Sequence, residues 1–378
     1  MDDSNRSTHT ERVIRTVFKR MAIEDWFDSQ QFEVDYDIGE SGMKFLNFSE
    51  LGVELKDLPI RYGYHKGSPE LRQLIAEQYD GLSAENMIVT TGASEANFAI
   101  IASLVGSRDN VVVEHPNFPS LYEVPLSLER EVTFFNLTFD EKFKPNLTRL
   151  AQLLKKETRL VVLSHPNNPT GSTLSERQLR EVVELVESRN AYLLMDETYR
   201  QLTFGKVLPA AACLSSRAIS VTGMSKAYGL PGIRIGWAVA DKPIVEALVA
   251  VREQLTICNS AIGEVIASAV LRIGSRILQR MRSELAANYE VLREWMMNQA
   301  QLEWVEPEGG VVCLPRMKGN LSTLELCRLL VKKYRTFTVP GYVFGMDQYL
   351  RLGFGGEEEE LRQGLKRLGT ALAEVKAH

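Results

Sequence analysis

The segment RLVVLSHPNNPTG, residues 159–171, opens a strand–helix–strand unit that decides the fold. It contains the apolar run LVVL and reaches Pro166, which ends the predicted strand. The helix that follows begins with a predicted capping box, Ser175 with Gln178 three residues later, and carries an apolar stripe. A second apolar strand, AYLLMD at 191–196, then ends in an acid. This order of elements favours a parallel or mixed sheet whose two faces are covered by helices.

The same alternation of short apolar strands and helices runs through the middle of the chain. The other predicted strands of this set lie at 88–91, 111–114, 218–222 and 235–240, and a helix is predicted at 92–105. Farther along, helices dominate, and the C-terminal third mixes helices with short strands. The fold class is therefore predicted to be α/β, with a large domain whose central sheet is mostly parallel and lies between helices, plus a smaller α/β domain.

Domain boundaries are predicted from these changes of pattern. Residues 11–29 show apolar side chains at roughly helical spacing and predict a helix in an N-terminal arm. A second boundary is expected within the long helical stretch that precedes the C-terminal third. The predicted parts are residues 1–45 (the arm and part of the small domain), 46–280 (the large domain) and 281–378 (the small C-terminal domain).

Composition and charge exclude several classes of protein. The 378 residues carry a formal net charge of −5, and no long basic run suggests nucleic-acid binding. The four cysteines form no C-x-x-C pair and the five histidines show no ligand spacing, so no metal site is expected. The polar N-terminus lacks the features of a signal peptide, and no apolar run approaches the ~18 residues that a membrane helix needs. We therefore expect a cytoplasmic protein without nucleic-acid or membrane partners.

Polar side chains follow the predicted strands at the sheet edge where ligands of such sheets bind. After the strand at 88–91, Gly92, Ala93 and Ser94 open a helix whose free N–H groups can hold an anion. The alternative is an ordinary helix cap. After the next strand, Phe118 can offer a flat ring to a flat ligand, or it packs in the core.

Three more candidates follow the next two strands. Asn168 lies in a turn between prolines and can donate an amide N–H, although turn formation alone would also explain it. Asp196 ends an apolar strand, where burial of a carboxylate is costly unless a cation meets it. Tyr199 offers a phenol three residues later.

Two cations occur together in SKAYGLPGIRIG, residues 225–236, where Lys226 follows Ser225 and Arg234 lies eight residues later. A lysine amine, a buried acid, an anion-binding helix start and an aromatic ring together suit one cofactor. Pyridoxal phosphate requires an amine for its aldehyde, an acid for its ring nitrogen, donors for its phenolate oxygen and a site for its phosphate.

The order and spacing of these motifs resemble those of the class I/II aminotransferases, which are fold-type I pyridoxal phosphate enzymes. The resemblance covers most of the chain. The motifs that carry it are Y-x-x-x-x-G-x-x-E-L-R (62–72), TGASEA (91–96), HPNNPTG (165–171), D-E-x-Y (196–199), SKAYGLPGIRIG (225–236) and YLRLGF (349–354).

The resemblance implies a role for each matching residue. Lys226 matches the lysine that forms a Schiff base with the cofactor and moves protons, and Asp196 matches the partner of the ring nitrogen. Asn168 and Tyr199 match the residues that bond the phenolate oxygen, and Phe118 matches the ring that stacks on the cofactor. Phosphate contacts are implied for Gly92, Ala93, Ser94, Ser225 and Arg234.

Further roles concern the substrate and a second subunit. Arg351 matches the arginine that binds the α-carboxylate of an amino-acid substrate, with Asn168 assigned to the same substrate site. Tyr62 matches a tyrosine that reaches the phosphate of the neighbouring subunit, which implies a homodimer with shared active sites. Gly223 stands where many members carry Ser or Thr, so one phosphate contact is either absent or moved to Thr222.

The N-terminal part is similar to a narrower group, the cyclases of hydroxylated arginine related to capreomycidine synthase. The similarity rests on EDWF (24–27), DIGESG (37–42) and FSELG (48–52), together with SKAYGLPGIRIGW (225–237), PEGGV (307–311) and VPGYVFG (339–345). It implies elimination and cyclisation of an arginine-type substrate. Glu24 and Glu40 are the candidates to bind a guanidinium. Asp25, Asp35 and Asp37 are weaker candidates, and any of these acids could instead be an ordinary solvated charge.

Two other functions remain open at this point. The chain could be an ordinary aminotransferase that passes the amino group to a 2-oxo acid. It could also be a binding protein without catalysis, although such a protein would not need the set formed by Lys226, Asp196 and Arg351.

Overall fold

The computed structural model describes residues 16–319 and 321–376. Its helices are α1 (Ala22–Gln30), α2 (Pro69–Ala76), α3 (Gly92–Leu104), α4 (Ser120–Ser127), α5 (Leu147–Leu153), α6 (Glu176–Ser188), α7 (Lys242–Glu253), α8 (Ala261–Arg272), α9 (Gly274–Met297), α10 (Thr323–Tyr334) and α11 (Glu358–Lys376). Its strands are β1 (Tyr36–Asp37), β2 (Met87–Thr90), β3 (Asn110–His115), β4 (Glu131–Asn136), β5 (Thr158–Ser164), β6 (Tyr192–Asp196), β7 (Ala218–Gly223), β8 (Gly236–Val239), β9 (Leu302–Glu303), β10 (Val312–Cys313), β11 (Arg316–Met317), β12 (Thr336–Phe337), β13 (Val339–Pro340) and β14 (Leu350–Gly353).

Within the described residues the largest sheet, called the central sheet below, has seven strands in the order β2-β8-β7-β6-β5-β3-β4. Strands β3 to β7 pair in parallel, and β8 is antiparallel to both of its neighbours. The sheet is buried on both faces, because Val112 packs into one apolar cluster while Val111 and Val113 pack into another on the opposite side. The predicted α/β class with a mostly parallel sheet is confirmed.

Helix α6 shows how the sequence sets a local element. The predicted capping box forms, since the Ser175 side chain accepts from the Gln178 N–H and the Gln178 side chain bonds back to the Ser175 N–H. The apolar stripe of this helix is buried against the sheet, with Val182 fully inaccessible. Helix and strands therefore follow the predicted order in this unit.

The C-terminal part contains short strands that pair with each other and with the N-terminal segment. Strand β14 lies between β10 and β13, and β1 pairs with β12 in parallel. The predicted boundary after residue 280 falls inside α9, one continuous helix of 24 residues. The division into residues 1–45, 46–280 and 281–378 stays a prediction.

Two local features differ from the sequence-based expectation. The helix predicted at 11–29 begins only at Ala22, where Ile23 and Trp26 become buried; residues 16–21 are not helical, and 11–15 lie outside the described residues. Short helices gain most of their stability from such packing, so the spacing of apolar residues alone did not fix the start. Strand β4 was not predicted, because it is a half-exposed edge strand without an apolar run.

Candidate active site

A cavity of about 250 Å³ opens at the edge of the central sheet where β5 and β6 end. Most residues assigned from sequence line it, and the lining residues fall into two groups. The first group, here called the sheet wall, comprises Ala93, Ser94, Phe118, Asn168, Asp196, Tyr199, Ser225, Lys226 and Arg234. The second, here called the N-terminal wall, comprises Ile23, Glu24, Phe27, Glu40 and Ser41. Arg351 lines the cavity from β14, whereas Tyr62 lies outside it with 82% of its surface exposed.

One end of the cavity is suited to an anion. Helix α3 begins at Gly92, so the first N–H groups of the helix point into this end beside Ser94. Arg234 adopts the left-handed conformation, with φ 51°, and its Nη1 donates to the Pro231 carbonyl at 2.9 Å and to Ser225 Oγ at 3.4 Å. A Cβ on Gly92 would lie 2.6 Å from Arg234 Nη2, so only glycine lets the guanidinium approach the helix start.

The residue before the motif Met224-Ser225-Lys226 supplies no hydroxyl to this end. Gly223 faces Gly236 where β7 pairs with β8. Thr222, the alternative donor, lines a different and smaller cavity together with Tyr79 and Trp237. Gly223 offers no side chain for an anion, and Thr222 does not line the main cavity.

Asp196 lies at the end of β6 at the base of the cavity. Its Oδ1 accepts from the N–H and the hydroxyl of Thr198 at 3.0 and 2.6 Å, and its Oδ2 accepts from Asn97 Nδ2 at 3.1 Å. Burial raises the pKa of Asp196, although these hydrogen bonds act to lower it. Within residues 16–319 and 321–376 no ion pair reaches this carboxylate, so it suits the cationic ring nitrogen of a ligand.

Lys226 bridges the two walls. Its Nζ lies 3.2 Å from Glu40 Oε1 and donates to Ser41 Oγ at 3.0 Å. Burial acts to lower the pKa of Lys226, but Glu40 and Tyr199 together outweigh it and raise that pKa. Burial acts to raise the pKa of Glu40, but Lys226 and Arg351 outweigh it and hold that pKa below its usual value.

Arg351 is buried in β14 and lines the cavity. Its Nη1 donates to Asn168 Oδ1 at 3.2 Å and its Nη2 to the Gly39 carbonyl at 2.8 Å. Its Nε is buried without a hydrogen-bond partner among the described residues. Because buried donors are normally satisfied, this guanidinium suits a ligand carboxylate. Tyr199 lies nearby, where its hydroxyl donates to the Ser41 carbonyl at 2.7 Å.

Several lining residues were not predicted. Asn97 and Thr198 hold Asp196, and both lie within or beside the motifs at 91–96 and 196–199, where a polar residue near a strand end is a usable signal. Ile23, Phe27 and Ser41 belong to the N-terminal wall. Their sequence carries no comparable signal, because their position depends on contacts with residues about 300 positions away.

The three weaker acidic candidates lie away from the cavity. Asp25 pairs with Arg20 at the surface, and Asp35 pairs with Arg335 at 2.7 Å. Asp37 accepts from the N–H groups of Gly39 and Glu40, so it shapes the turn that carries Glu40. The structure brings only Glu24 and Glu40 of these five acids to the cavity.

The donor set of the cavity fits pyridoxal phosphate. The anion end, the carboxylate of Asp196 and the amine of Lys226 match the phosphate, the ring nitrogen and the aldehyde of this molecule. Among the described residues no cluster of three or more His, Cys, Asp or Glu could hold a metal ion. In the same part of the chain, every helix is too short or too polar to cross a membrane.

Fold and site together define a fold-type I enzyme that depends on pyridoxal phosphate. Residues 59–368 match the profile of the family described as aminotransferase class I and II, and the chain belongs to this family.

Three individual proteins are similar to the chain in sequence or structure. The chain is 31% identical over 363 residues to capreomycidine synthase of Streptomyces vinaceus, covering 93% of each protein. Its structure is similar to a PLP-dependent aminotransferase from Streptococcus suis 89-1591, with a TM-score of 0.91, 29% identity and coverage of 94% and 98% of the two chains. It is also similar to the PLP-dependent cyclase OrfR, with a TM-score of 0.89, 29% identity and coverage of 97% and 100%.

Proposed function

We propose that this enzyme eliminates water from a hydroxylated arginine-type amino acid and closes a ring with its guanidine nitrogen. The reaction type is supported by the similarity to capreomycidine synthase and to a PLP-dependent cyclase. The choice of a cationic substrate is supported by the acids of the cavity. We place the loss of water and ring closure in the same site, with no 2-oxo acid required.

The observation that carries the choice of substrate is the contact between Glu40 and Lys226, together with the second acid Glu24. Lys226 pairs with Glu40 at 3.2 Å, and Arg351 also offsets the charge of this carboxylate. A Lys226 amine held by the cofactor would offset Glu40 less. Arg351 is then taken by the substrate carboxylate. Two carboxylates, Glu24 and Glu40, face the substrate side chain, and a guanidinium would balance them.

Each remaining residue then has a defined task. Pyridoxal phosphate, when bound, withdraws electrons from the substrate Cα and so makes its proton acidic. Arg234, Ser225, Gly92, Ala93 and Ser94 would hold the phosphate, and Asp196 would keep the ring nitrogen protonated. Phe118 would stack on the ring, Asn168 and Tyr199 would bond its oxygen, and Lys226 would move the proton at Cα. Arg351, with Asn168 beside it, orients the substrate carboxylate.

An ordinary aminotransferase is the second candidate function. It is supported by the family and by the similarity to the PLP-dependent aminotransferase from Streptococcus suis. The same contacts of Lys226, Asp196 and Arg351 serve both reactions. The two functions differ in the fate of the substrate, because the aminotransferase needs a 2-oxo acid as acceptor and leaves the substrate side chain intact.

One experiment separates the two. The purified holoenzyme is given each hydroxyarginine isomer alone, and arginine with 2-oxoglutarate in a parallel reaction, and the products are weighed by mass spectrometry. We expect a product that has lost one water without any 2-oxo acid. Formation of glutamate, with no dehydrated product from any isomer, would establish the aminotransferase instead. The Lys226→Ala variant is the control for reaction without the enzyme.

We also propose that the enzyme acts in the cytoplasm as a homodimer with shared active sites. Support comes from the exposed segment at 45–64, in which Phe45, Phe48, Ile60, Tyr62 and Tyr64 have half or more of their surface accessible. Sedimentation of the holoenzyme tests this assembly. A Tyr62→Phe variant should bind the cofactor less tightly. A monomeric holoenzyme, together with an unchanged cofactor affinity of this variant, would contradict the shared site.

A further inference from the structure

Glu40 and Lys226 meet where the two walls of the cavity come together. Their side chains are only 27% and 24% exposed, and Glu40 Oε1 lies 3.2 Å from Lys226 Nζ. Ser41 Oγ accepts from the same amine at 3.0 Å. A proton can pass directly between carboxylate and amine at this separation, since it is within the range of a hydrogen bond.

The Glu40 carboxylate is held in place from several directions. The Ser41 N–H donates to its Oε1 at 2.8 Å, and Gln31 Nε2 lies 3.4 Å from its Oε2. Asp37 Oδ1 accepts the Glu40 N–H at 2.9 Å. A Cβ on Gly353 would overlap the Glu40 carbonyl oxygen, so β14 packs directly against this backbone. The position of the carboxylate is therefore part of the fold.

The charges around Glu40 change during the proposed reaction. Two cations face it, Lys226 and Arg351, and both lower its pKa. The other titratable groups near the pair are Asp37, at the turn, Glu24 on α1, Asp196 and Tyr199. Once the substrate carboxylate occupies Arg351 and the amine is uncharged, burial favours the neutral carboxylic acid. Glu40 can then hold a proton in the middle of the reaction.

We propose that Glu40 and Lys226 form a proton relay that serves both the loss of water and the closure of the ring. The proposal rests on the proposed function and gives Glu40 a catalytic task in addition to its charge. It applies to a substrate whose hydroxyl is on Cβ, the carbon next to Cα.

The first passage of the relay removes water. Lys226 Nζ takes the proton from Cα, and the electron pair of that bond forms the Cα–Cβ double bond while the Cβ–O bond breaks with its pair on oxygen. The proton on Nζ passes to Glu40, and Glu40 gives it to the departing oxygen. One water leaves, and both residues return to their starting protonation.

The second passage closes the ring. A guanidinium N–H gives its proton to Glu40, and the freed nitrogen pair forms the bond to Cβ. The pair of the double bond takes a proton at Cα from Lys226, which receives it from Glu40. The sum is one water released and one C–N bond formed, so no oxidant or further reactant is needed.

The test compares wild type with Glu40→Gln, Glu40→Asp and, as a matched control, Glu33→Gln, an exposed acid nearby that lies outside the cavity. Two rates are measured in D₂O by NMR and mass spectrometry: hydrogen exchange at Cα of arginine, which needs Lys226 alone, and dehydration of 3-hydroxyarginine isomers, which needs the relay. A third measurement follows the visible absorbance of the bound cofactor against pH.

We expect Glu40→Gln to lower kcat for dehydration by about 100-fold or more while Cα exchange falls less than about tenfold. Glu40→Asp should recover part of the dehydration, and Glu33→Gln should match wild type. The absorbance transition of Glu40→Gln should move to lower pH by about one unit or more, because the carboxylate stabilises the protonated lysine–cofactor group.

Three results would overturn the relay. Equal losses of exchange and dehydration would make Glu40 a structural residue, and wild-type dehydration by Glu40→Gln would exclude its catalytic task. If the pH midpoint of the absorbance transition is the same in Glu40→Gln and in wild type, the carboxylate does not stabilise the protonated lysine–cofactor group. A wild type that dehydrates no 3-hydroxyarginine isomer also overturns the relay, whereas the proposed function fails only if no hydroxyarginine isomer of any kind is dehydrated.

Discussion

The sheet wall and the N-terminal wall of the cavity differ in how the sequence encodes them. Residues of the sheet wall, such as Asp196 and Lys226, follow strands of the central sheet within a few positions, so a local motif also fixes their place. The N-terminal wall is positioned by distant contacts, such as Trp26 Nε1 donating to the Thr338 carbonyl at 2.8 Å. The residues of the sheet wall can be predicted from local sequence, whereas those of the N-terminal wall depend on packing between distant parts of the chain.

The strongest test of the sheet wall is Lys226→Ala. We expect loss of the visible absorbance of the lysine–cofactor link and a fall in turnover of about 10⁴-fold or more, because no other amine lies at this position. Absorbance spectroscopy and product assays measure both effects. A variant that keeps the band and the activity would mean that the sheet wall is not the catalytic side, and the comparison would fail.

Asp196→Asn tests the base of the same wall. A neutral amide cannot hold a proton on the ring nitrogen as a carboxylate does, so we expect turnover to fall by about 10²- to 10³-fold. The anion end is unchanged, so the cofactor should still bind. Steady-state kinetics with a parallel measurement of cofactor content checks this. Turnover near that of wild type would show that the carboxylate does not act on the ring.

Trp26→Ala tests the N-terminal wall without touching the cofactor. Trp26 is buried, and its ring centroid lies 6.3 Å from that of Phe337, so its loss should loosen α1 and with it Glu24 and Phe27. We expect KM for the amino-acid substrate to rise by about tenfold, equivalent to 1.4 kcal/mol, while the cofactor absorbance stays unchanged. If KM stays the same, or if the cofactor is lost together with the substrate, the two walls do not act separately.

The last prediction concerns stability beneath the sheet wall, with no direct effect on catalysis. Glu114 accepts from the Ser164 N–H at 2.9 Å and from Asn167 Nδ2 at 3.0 Å, so it joins the loops that carry Phe118 and Asn168. Burial raises the pKa of Glu114 to about 7. The folded protein therefore keeps a proton that an unfolded glutamic acid, with a pKa of about 4.3, has already lost.

The sign of this pH dependence follows from the proton count. Between about pH 4.3 and 7 the folded state binds more protons at Glu114, so its contribution to the free energy of unfolding falls as pH rises. Glu114→Gln should remove a pH-dependent part on the order of 1–3 kcal/mol. Denaturant unfolding at pH 5 and pH 8, with the exposed Glu157→Gln as control, measures it. An unchanged difference between the two pH values would contradict this prediction.

Sequence alone predicted most of the sheet wall and little of the N-terminal wall. Gly92, Asp196 and Lys226 lie at strand ends or a helix start, where the backbone itself sets the site. Glu40 was predicted together with Glu24 through the resemblance and not from a local motif. Phe27 was not a candidate, because no local pattern shows that β1 pairs with β12. The start of α1 and the presence of strand β4 were not predicted, because tertiary packing and not local sequence determines them.

The pairing of the N-terminal segment with the C-terminal strands has a mechanical consequence. The Gly353 N–H donates to the Ile38 carbonyl at 2.8 Å, and Arg351 donates to the Gly39 carbonyl, so the backbone that leads to Glu40 is fastened to β14. Any displacement of β14 against the central sheet would carry Glu40 and Arg351 as one piece. Arg351 and Glu40, the residues proposed to bind the carboxylate and the guanidinium of a substrate, would then move together. The fixed distance between these two residues would select substrates by length.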